Sequence, residues 1–262
     1  MIKLMVTDVD GTLIPEGSSD PSPVIAETMR EMTAKGVTVA IASGRSYESI
    51  IGVFPELRDV GVFISDNGAC ITKHDKTIDR CEIDRRLVEH IVEYVRRVPD
   101  SNILVTTEEC SYSDSSNGEY IDWIRNGYRI DLKLVPDVLS IKSPVVKLAM
   151  FVGSVDAAIT SREALEHFGD CGLSIMGAGA HWVDFIRNDV DKGNAVARLQ
   201  KELGITREET AAFGDNLNDI GLITSAKYGY AVANARDELK AAAYEVLEDS
   251  PFAVIDKMRE LV

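Results

Sequence analysis

The sequence predicts an α/β fold: a Rossmann-like parallel-sheet core made from two chain segments, with an α+β domain inserted between them. Three observations support this. In the first third of the chain, short apolar runs alternate with amphipathic helical stretches, the rhythm of right-handed crossovers between parallel strands. Between about residues 83 and 186 the rhythm changes, and strands and helices mix in a different order. After Asp191 the alternation returns and runs to the last residues. A chain of 262 residues, 45% hydrophobic, can bury cores of useful size without disulfide staples.

Each element has its own local reason. Residues 2–7 form a short, mainly apolar run, as expected of a central parallel strand covered on both faces. Pro15, Gly17, Ser18, Ser19, Pro21 and Pro23 then mark a loop. Residues 24–35 place Ile25, Met29 and Met32 near one helical face, and Gly36 is the stop. Strands follow at 37–42 and 62–65, separated by a helix over 47–53. Residues 69–81 read as a hairpin turning near 74–76. In the insertion, 87–97 and 156–168 read as helices, and 145–152, 173–175 and 181–186 as strands. The stretch 111–129 is polar and aromatic, with Tyr112, Tyr120, Trp123 and Tyr128, and matches no assigned pattern; Gly177, Ala178 and Gly179 match none either. Its aromatics are read as packing residues before stacking ones. Helices over 193–203, 220–225 and 251–261 and strands over 210–214 and 228–232 complete the chain. The domains expected are therefore a discontinuous core, 1–82 and 187–262, and an inserted domain, 83–186.

Composition narrows the function. A formal net charge of -15 argues against a nucleic-acid partner, which calls for a basic face. It also repels anionic substrates, so a bound cation and a few local basic groups would have to reverse the field at any phosphate site. Cys70, Cys81, Cys110 and Cys171 form no CxxC pair, and free thiols in a reducing compartment are expected. His74, His90, His167 and His181 are scattered, which disfavours a histidine metal site. The apolar start is too short for a signal peptide, and no stretch approaches the roughly 20 apolar residues of a membrane helix. The expectation is a soluble cytoplasmic protein, a monomer or small homo-oligomer.

Four polar clusters fall at predicted strand ends, where open α/β sheets bind ligands. In Asp8-Val9-Asp10-Gly11-Thr12, two acids one residue apart can divide nucleophilic attack from proton transfer, Gly11 permits a sharp turn, and Thr12 adds a hydroxyl. Taken alone, Asp-Gly after a strand also suits an ordinary turn. Ser43-Gly44-Arg45 reads as a hydroxyl and glycine opening a helix, an oxyanion cradle, with a plain N-cap as the simpler reading. Lys192, after Asp191, can offset negative charge around a phosphoryl group; the plainer reading is a solvated lysine at a helix start. In Asp215-Asn216-Leu217-Asn218-Asp219, hard oxygen donors suit magnesium. Asp215 is the better direct ligand there, and Asn218 and Asp219 could support Lys192 or metal-bound water. Turn and N-cap chemistry explains any one of these clusters, but the four in this order meet the needs of phosphoryl transfer.

These motifs, in this order, resemble those of the haloacid dehalogenase superfamily, and the place and size of the insertion resemble its Cof-like, type IIB capped branch. Ser65-Asp66-Asn67-Gly68-Ala69 and Ala233-Asn234-Ala235 also fit that branch, whereas residues 248–254 depart from its usual acidic and glycine-valine pattern. The resemblance implies a Mg2+-dependent phosphatase acting on a small phosphorylated metabolite, such as a sugar phosphate or phosphoglycolate, through an aspartyl phosphate on Asp8. It implies Asp10 as general acid and base with its backbone carbonyl on the metal, Ser43 and Lys192 on the phosphoryl oxygens, and Asp8, Asp10, Asp215 and Asp219 around magnesium. Thr12, Gly44, Arg45, Asn67 and Asn218 join the phosphate or substrate site, and the cap closes over it and selects the leaving group. Asp8 is expected to stay ionised beside the metal and Lys192. A phosphomutase using the same aspartyl phosphate is the alternative; a non-catalytic metabolite binder and a phospho-acceptor signalling domain are weaker ones.

Overall fold

The computed structural model describes residues 1–14, 21–127, 130–153, 156–178 and 180–262. The loop residues Pro15, Gly17, Ser18 and Ser19 lie outside the described residues, as do Tyr128 and Gly179. The chain divides into two units, Met1–Asp79 with Val190–Val262, and Arg80–Asp189. The junctions read from sequence, 82–83 and 186–187, fall inside the second of these.

The first segment runs β1 (Leu4–Thr7), α1 (Pro23–Ala34), β2 (Thr38–Ala42), α2 (Tyr47–Val53), β3 (Val62–Ser65) and a hairpin of β4 (Cys70–Lys73) and β5 (Lys76–Arg80). Proline begins α1 at a position whose N–H has no helical partner anyway. The hairpin turns on His74 and Asp75, both at positive φ, as a two-residue turn matched to the strand twist requires. The second unit follows as α3 (Arg85–Val95), β6 (Ser101–Thr107), β7 (Ser111–Ser113), α4 (Gly118–Asp122), β8 (Leu132–Leu134), β9 (Val145–Val152), α5 (Ala157–Phe168), β10 (Leu173–Ala178) and β11 (Trp182–Arg187). The chain then returns to the first unit through α6 (Lys192–Leu203), β12 (Thr210–Gly214), α7 (Ile220–Thr224), β13 (Tyr228–Ala231), α8 (Asp237–Ala242), β14 (Glu245–Val246) and α9 (Ala253–Glu260).

The first unit holds one sheet in the order β14-β13-β12-β1-β2-β3-β4-β5. From β14 to β3 every pairing is parallel, and β4 joins antiparallel. Alternation along the strands divides the core. Met5, Val39, Ile41 and Phe213 face α1, α2 and α9, while Leu4, Val6, Ala40 and Ala212 face α6. Burial on both faces explains why β1 is almost wholly apolar, Leu4, Met5 and Val6 ending in the buried Thr7. The central position of β1 between β2 and β12 decides where the site lies. The chain leaves β1 toward β2 on one side and returns to β12 on the other, so the carboxyl ends of all three open on the switch point where such sheets bind ligands.

The second unit is a sheet in the order β10-β11-β9-β6-β7-β8. Its helices α3 and α5 cover one face with Val88, Ile91, Val92 and Ala164 packed on Ile103, Leu148 and Phe185. On the other face Tyr120 and Ile124 pack with Leu104, Ala149 and Trp182, so the aromatic stretch supplies a packed cluster. Sequence reading missed β6, which pairs with β9 along its length, and also β7, β8, β14 and α8. Ile103, Leu104 and Val105 are buried on alternating faces, giving a run of only three apolar residues and no period to detect.

One close approach fixes the helix that enters the site. Gly193, in the first turn of α6, faces Gly221 of α7, and a Cβ there would strike the Gly221 carbonyl. Gly193→Ala is expected to push the helices apart and destabilise the fold by about 1–3 kcal/mol, the usual overpacking penalty. Urea unfolding that gives an unchanged midpoint would contradict this contact.

Candidate active site

The residues singled out in the sequence sit on loops leaving β1, β2, β3 and β12 and at the start of α6. Asp8 follows β1 directly and is buried. Lys192 is the first residue of α6, whose N-cap Asp191 accepts from Asn194 N. A cation at a helix N-terminus meets the unfavourable end of the dipole. Here two carboxylates offset it: Lys192 Nζ donates to Asp8 Oδ1 at 2.5 Å and to Asp219 Oδ1 at 2.6 Å. Lys192 is 1% exposed and Asp219 0%. The second oxygen of Asp219 accepts from the backbone N–H groups of Asp215 and Asn216, both at 3.1 Å. Asp219 thus ties the lysine to the loop after β12 and serves as a support.

Asp215 accepts from Thr12 Oγ1 at 3.1 Å. The Thr12 hydroxyl is thus directed to Asp215. Gly11 makes that approach possible, with φ of 87°, and a Cβ there would overlap the Asp215 carboxylate. Asn234 Nδ2 donates to the Gly11 carbonyl at 3.2 Å and Arg236 N to the Asp215 carbonyl at 2.8 Å, so the turn leading into α8 braces both loops.

Ser43 differs from expectation in its local setting. The helix after β2 begins at Tyr47, capped by Ser46, whose side chain accepts from Ser49 N. Ser43 lies upstream, buried at the strand end, its Oγ accepting from Arg45 N at 3.2 Å. It is neither the N-cap nor part of the helix opening, and a turn presents it. Asn67, at φ of 56°, accepts from Asn218 Nδ2 at 3.1 Å, joining the loops after β3 and β12. Asp8, Asp10, Ser43, Gly44, Arg45, Asp215, Asn216 and Asn218 line a cavity of about 270 Å³. Asn216 was not among the predicted site residues.

Asp10 stands apart from the buried acids. Its carboxylate accepts from Arg45 Nε at 2.8 Å and from a terminal Arg45 nitrogen at 2.6 Å, half-exposed at the rim. Nothing in the spacing of the two residues announces this pair, because adjacent strands create it.

Carboxylate oxygens of Asp8, Asp215 and Asp219 all lie within 4.8 Å of one another. Three buried acids therefore share one buried ammonium. Burial pushes the Asp8 carboxyl up to about 7, with Lys192 opposing and Asp219 and Asp215 adding to the rise. Asp215 is raised too, by burial and then by the Asp219 charge. Burial would lower Lys192, but Asp8 and Asp219 outweigh it and hold the ammonium raised. Lys192 by itself does not keep Asp8 in the ordinary carboxylate range, since desolvation is the larger effect; the expected ionised Asp8 depends on a metal beside it as well. Clustered oxygen donors with surplus negative charge fit a hard dication such as Mg2+.

A pH dependence follows. The folded protein holds the Asp8 proton up to about 7, against 3.8 for an ordinary aspartate. Native protein then binds more protons than unfolded protein between these values, so this group's contribution to stability falls as pH rises through that window. A cation must displace the same proton. In thermal melts, stabilisation by Mg2+ is expected to be small at about pH 5 and to rise to a plateau above about pH 7. Equal stabilisation across that range would contradict the reading.

Residues 5–255 match the model of the family described as haloacid dehalogenase-like hydrolase. Among curated proteins, the chain is 26% identical over 242 residues to 5-amino-6-(5-phospho-D-ribitylamino)uracil phosphatase YbjI of Escherichia coli (strain K12), covering 92% of this chain and 89% of that one. It is 27% identical over 244 residues to phosphoglycolate phosphatase 1 of Saccharolobus solfataricus, covering 93% and 88%. A crystal structure of a protein from Eubacterium rectale has the same fold, with a TM-score of 0.91 at 24% identity, covering 100% of this chain and 99% of that one.

Proposed function

The chain belongs to the haloacid dehalogenase-like hydrolases, and from that premise and its acidic cluster we propose a Mg2+-dependent phosphatase that hydrolyses a small phosphorylated metabolite through an aspartyl phosphate on Asp8. The chain is a phosphatase, as are its named relatives. One observation carries the finer reading: Lys192 bridges Asp8 and Asp219 beside Asp215, at the ends of parallel strands and beside an open cavity.

Asp8 and Asp215 offer carboxylate oxygens to the metal, with Asp219 supporting Lys192 and the loop after β12, and the Asp10 backbone carbonyl is assigned to the metal by family resemblance. When bound, Mg2+ offsets phosphoryl charge and favours the ionised form of Asp8. The chain's own residues divide the remaining work. A carboxylate oxygen of Asp8 attacks phosphorus as the bond to the ester oxygen breaks, and protonated Asp10 gives its proton to that oxygen. Water then attacks the aspartyl phosphate, its proton returning to Asp10, and the bond from Asp8 to phosphorus breaks to release inorganic phosphate. Lys192 offsets charge on the equatorial oxygens, and the Ser43–Gly44 turn offers hydrogen-bond donors to them. Sugar phosphates, phosphoglycolate and similar monoesters are the proposed substrate class. Relatives named for phosphoglycolate and for a phosphoribitylaminouracil support a small phosphorylated molecule.

Asp8→Asn is expected to remain folded by circular dichroism and to lose p-nitrophenyl phosphate turnover by at least about 10⁴-fold, since no covalent route remains. Near-wild-type phosphate release by this variant would refute the nucleophile. Separately, EDTA is expected to abolish phosphate release and added Mg2+ to restore it; full turnover in a preparation verified free of metal by elemental analysis would overturn the cofactor assignment.

A further inference from the structure

Arg45 is assigned by resemblance to the phosphate site, yet its side chain is engaged elsewhere. Its Nε and one terminal nitrogen meet the two oxygens of Asp10, the paired geometry that a planar guanidinium offers and an ammonium does not. The backbone of Arg45 is itself held: its N–H donates to Ser43 Oγ, and its carbonyl accepts from Asp66 N at 2.9 Å. Asp10 needs such a partner. Its side chain is 52% exposed, so packing alone does not select its rotamer, whereas buried Asp8 and Asp219 are locked by Lys192.

We propose that Arg45 is a positioning residue for Asp10, fixing the direction of its carboxyl group toward the ester oxygen instead of binding the phosphoryl group. The proposal deepens the phosphatase reading and rests on it. A protonated carboxyl group keeps one acceptor oxygen, so one bond to the fork can persist while the other oxygen carries the proton to be delivered. Proton transfer demands hydrogen-bond reach in the correct direction, and small misplacements are costly in rate.

The two roles for Arg45 differ in kinetics. Every phosphomonoester presents the same phosphoryl group, so loss of a phosphoryl contact slows all substrates alike. Proton delivery matters most when the departing oxygen is strongly basic, so loss of Asp10 positioning slows an alkyl ester far more than p-nitrophenyl phosphate. The quantity to compare is kcat/KM, which reports the first chemical step and omits later attack by water.

The experiment measures kcat/KM of wild type, Arg45→Met, Arg45→Lys, Asp10→Asn and the double variant Asp10→Asn with Arg45→Met on p-nitrophenyl phosphate and β-glycerophosphate, with thermal melts on each. Arg45→Met is expected to lose at least about tenfold more on the alkyl ester than on the aryl ester, within the 10²–10⁴-fold range of general acid help. Arg45→Lys should recover only part of that difference, since it keeps charge without the fork. In the Asp10→Asn background, adding Arg45→Met should cause less than about a twofold further loss on the alkyl ester. Equal losses on both esters, or additive losses in the double variant, would overturn the proposal in favour of a direct phosphoryl contact. Failure of the underlying reading is distinguishable: Asp10→Asn itself would then lack the difference between the esters.

Discussion

The buried ammonium of Lys192 is the interaction on which the rest of the site depends. It joins the loop after β1 to the loop after β12 through Asp8 and Asp219, at the first residue of a helix that begins far along the chain. A lysine in that place is unfavourable by burial and by the helix dipole, and only the two carboxylates compensate. Removing the lysine from such a buried set leaves uncompensated charge, at a cost of about 3–5 kcal/mol. The proposed chemistry and the fold therefore draw on the same charges, because the ion pairs around Asp8 also join the two loops.

Even so, the ammonium does not balance its surroundings. Asp8, Asp215 and Asp219 crowd a space that water barely reaches, and burial leaves Asp8 and Asp215 raised. This imbalance also answers the difficulty raised by a net charge of -15. The protein-wide field repels an anionic substrate, and under the proposed function a dication held by these acids would reverse the sign where the phosphate sits.

What was legible in the sequence has a common physical origin. Asp8, Lys192, Asp215 and Asp219 stand where a strand or helix boundary is readable, and the parallel alternation brings those boundaries to one edge. The hairpin at His74 and Asp75 was readable for the same local reason. Contacts that adjacent strands create between distant residues were not. The pairing of Asp10 with Arg45, the bond from Asn234 to Gly11 and the use of Thr12 on Asp215 leave no periodicity or spacing behind. The setting of Ser43 at a helix opening was misread because two serines flank Gly44-Arg45, and the helix selects the later one as its cap. The strand β6 escaped because burial on both faces erased its alternation.

The first unit's site thus has two parts of different stiffness. Asp8, Lys192 and Asp219 are buried and mutually bonded, a set whose geometry the core dictates before any substrate arrives. Asp10, Arg45 and Asn218 form the solvent-facing side, where side chains find their positions through one another. Phosphoryl transfer explains the division. The phosphoryl group is the same in every monoester and gains from a fixed electrostatic frame, whereas the departing group varies and must reach water when it leaves. A rigid interior for the invariant half of the reaction, and a rim held by exposed hydrogen bonds for the variable half, is what one fold needs if its chemistry is to stay constant while its substrate changes.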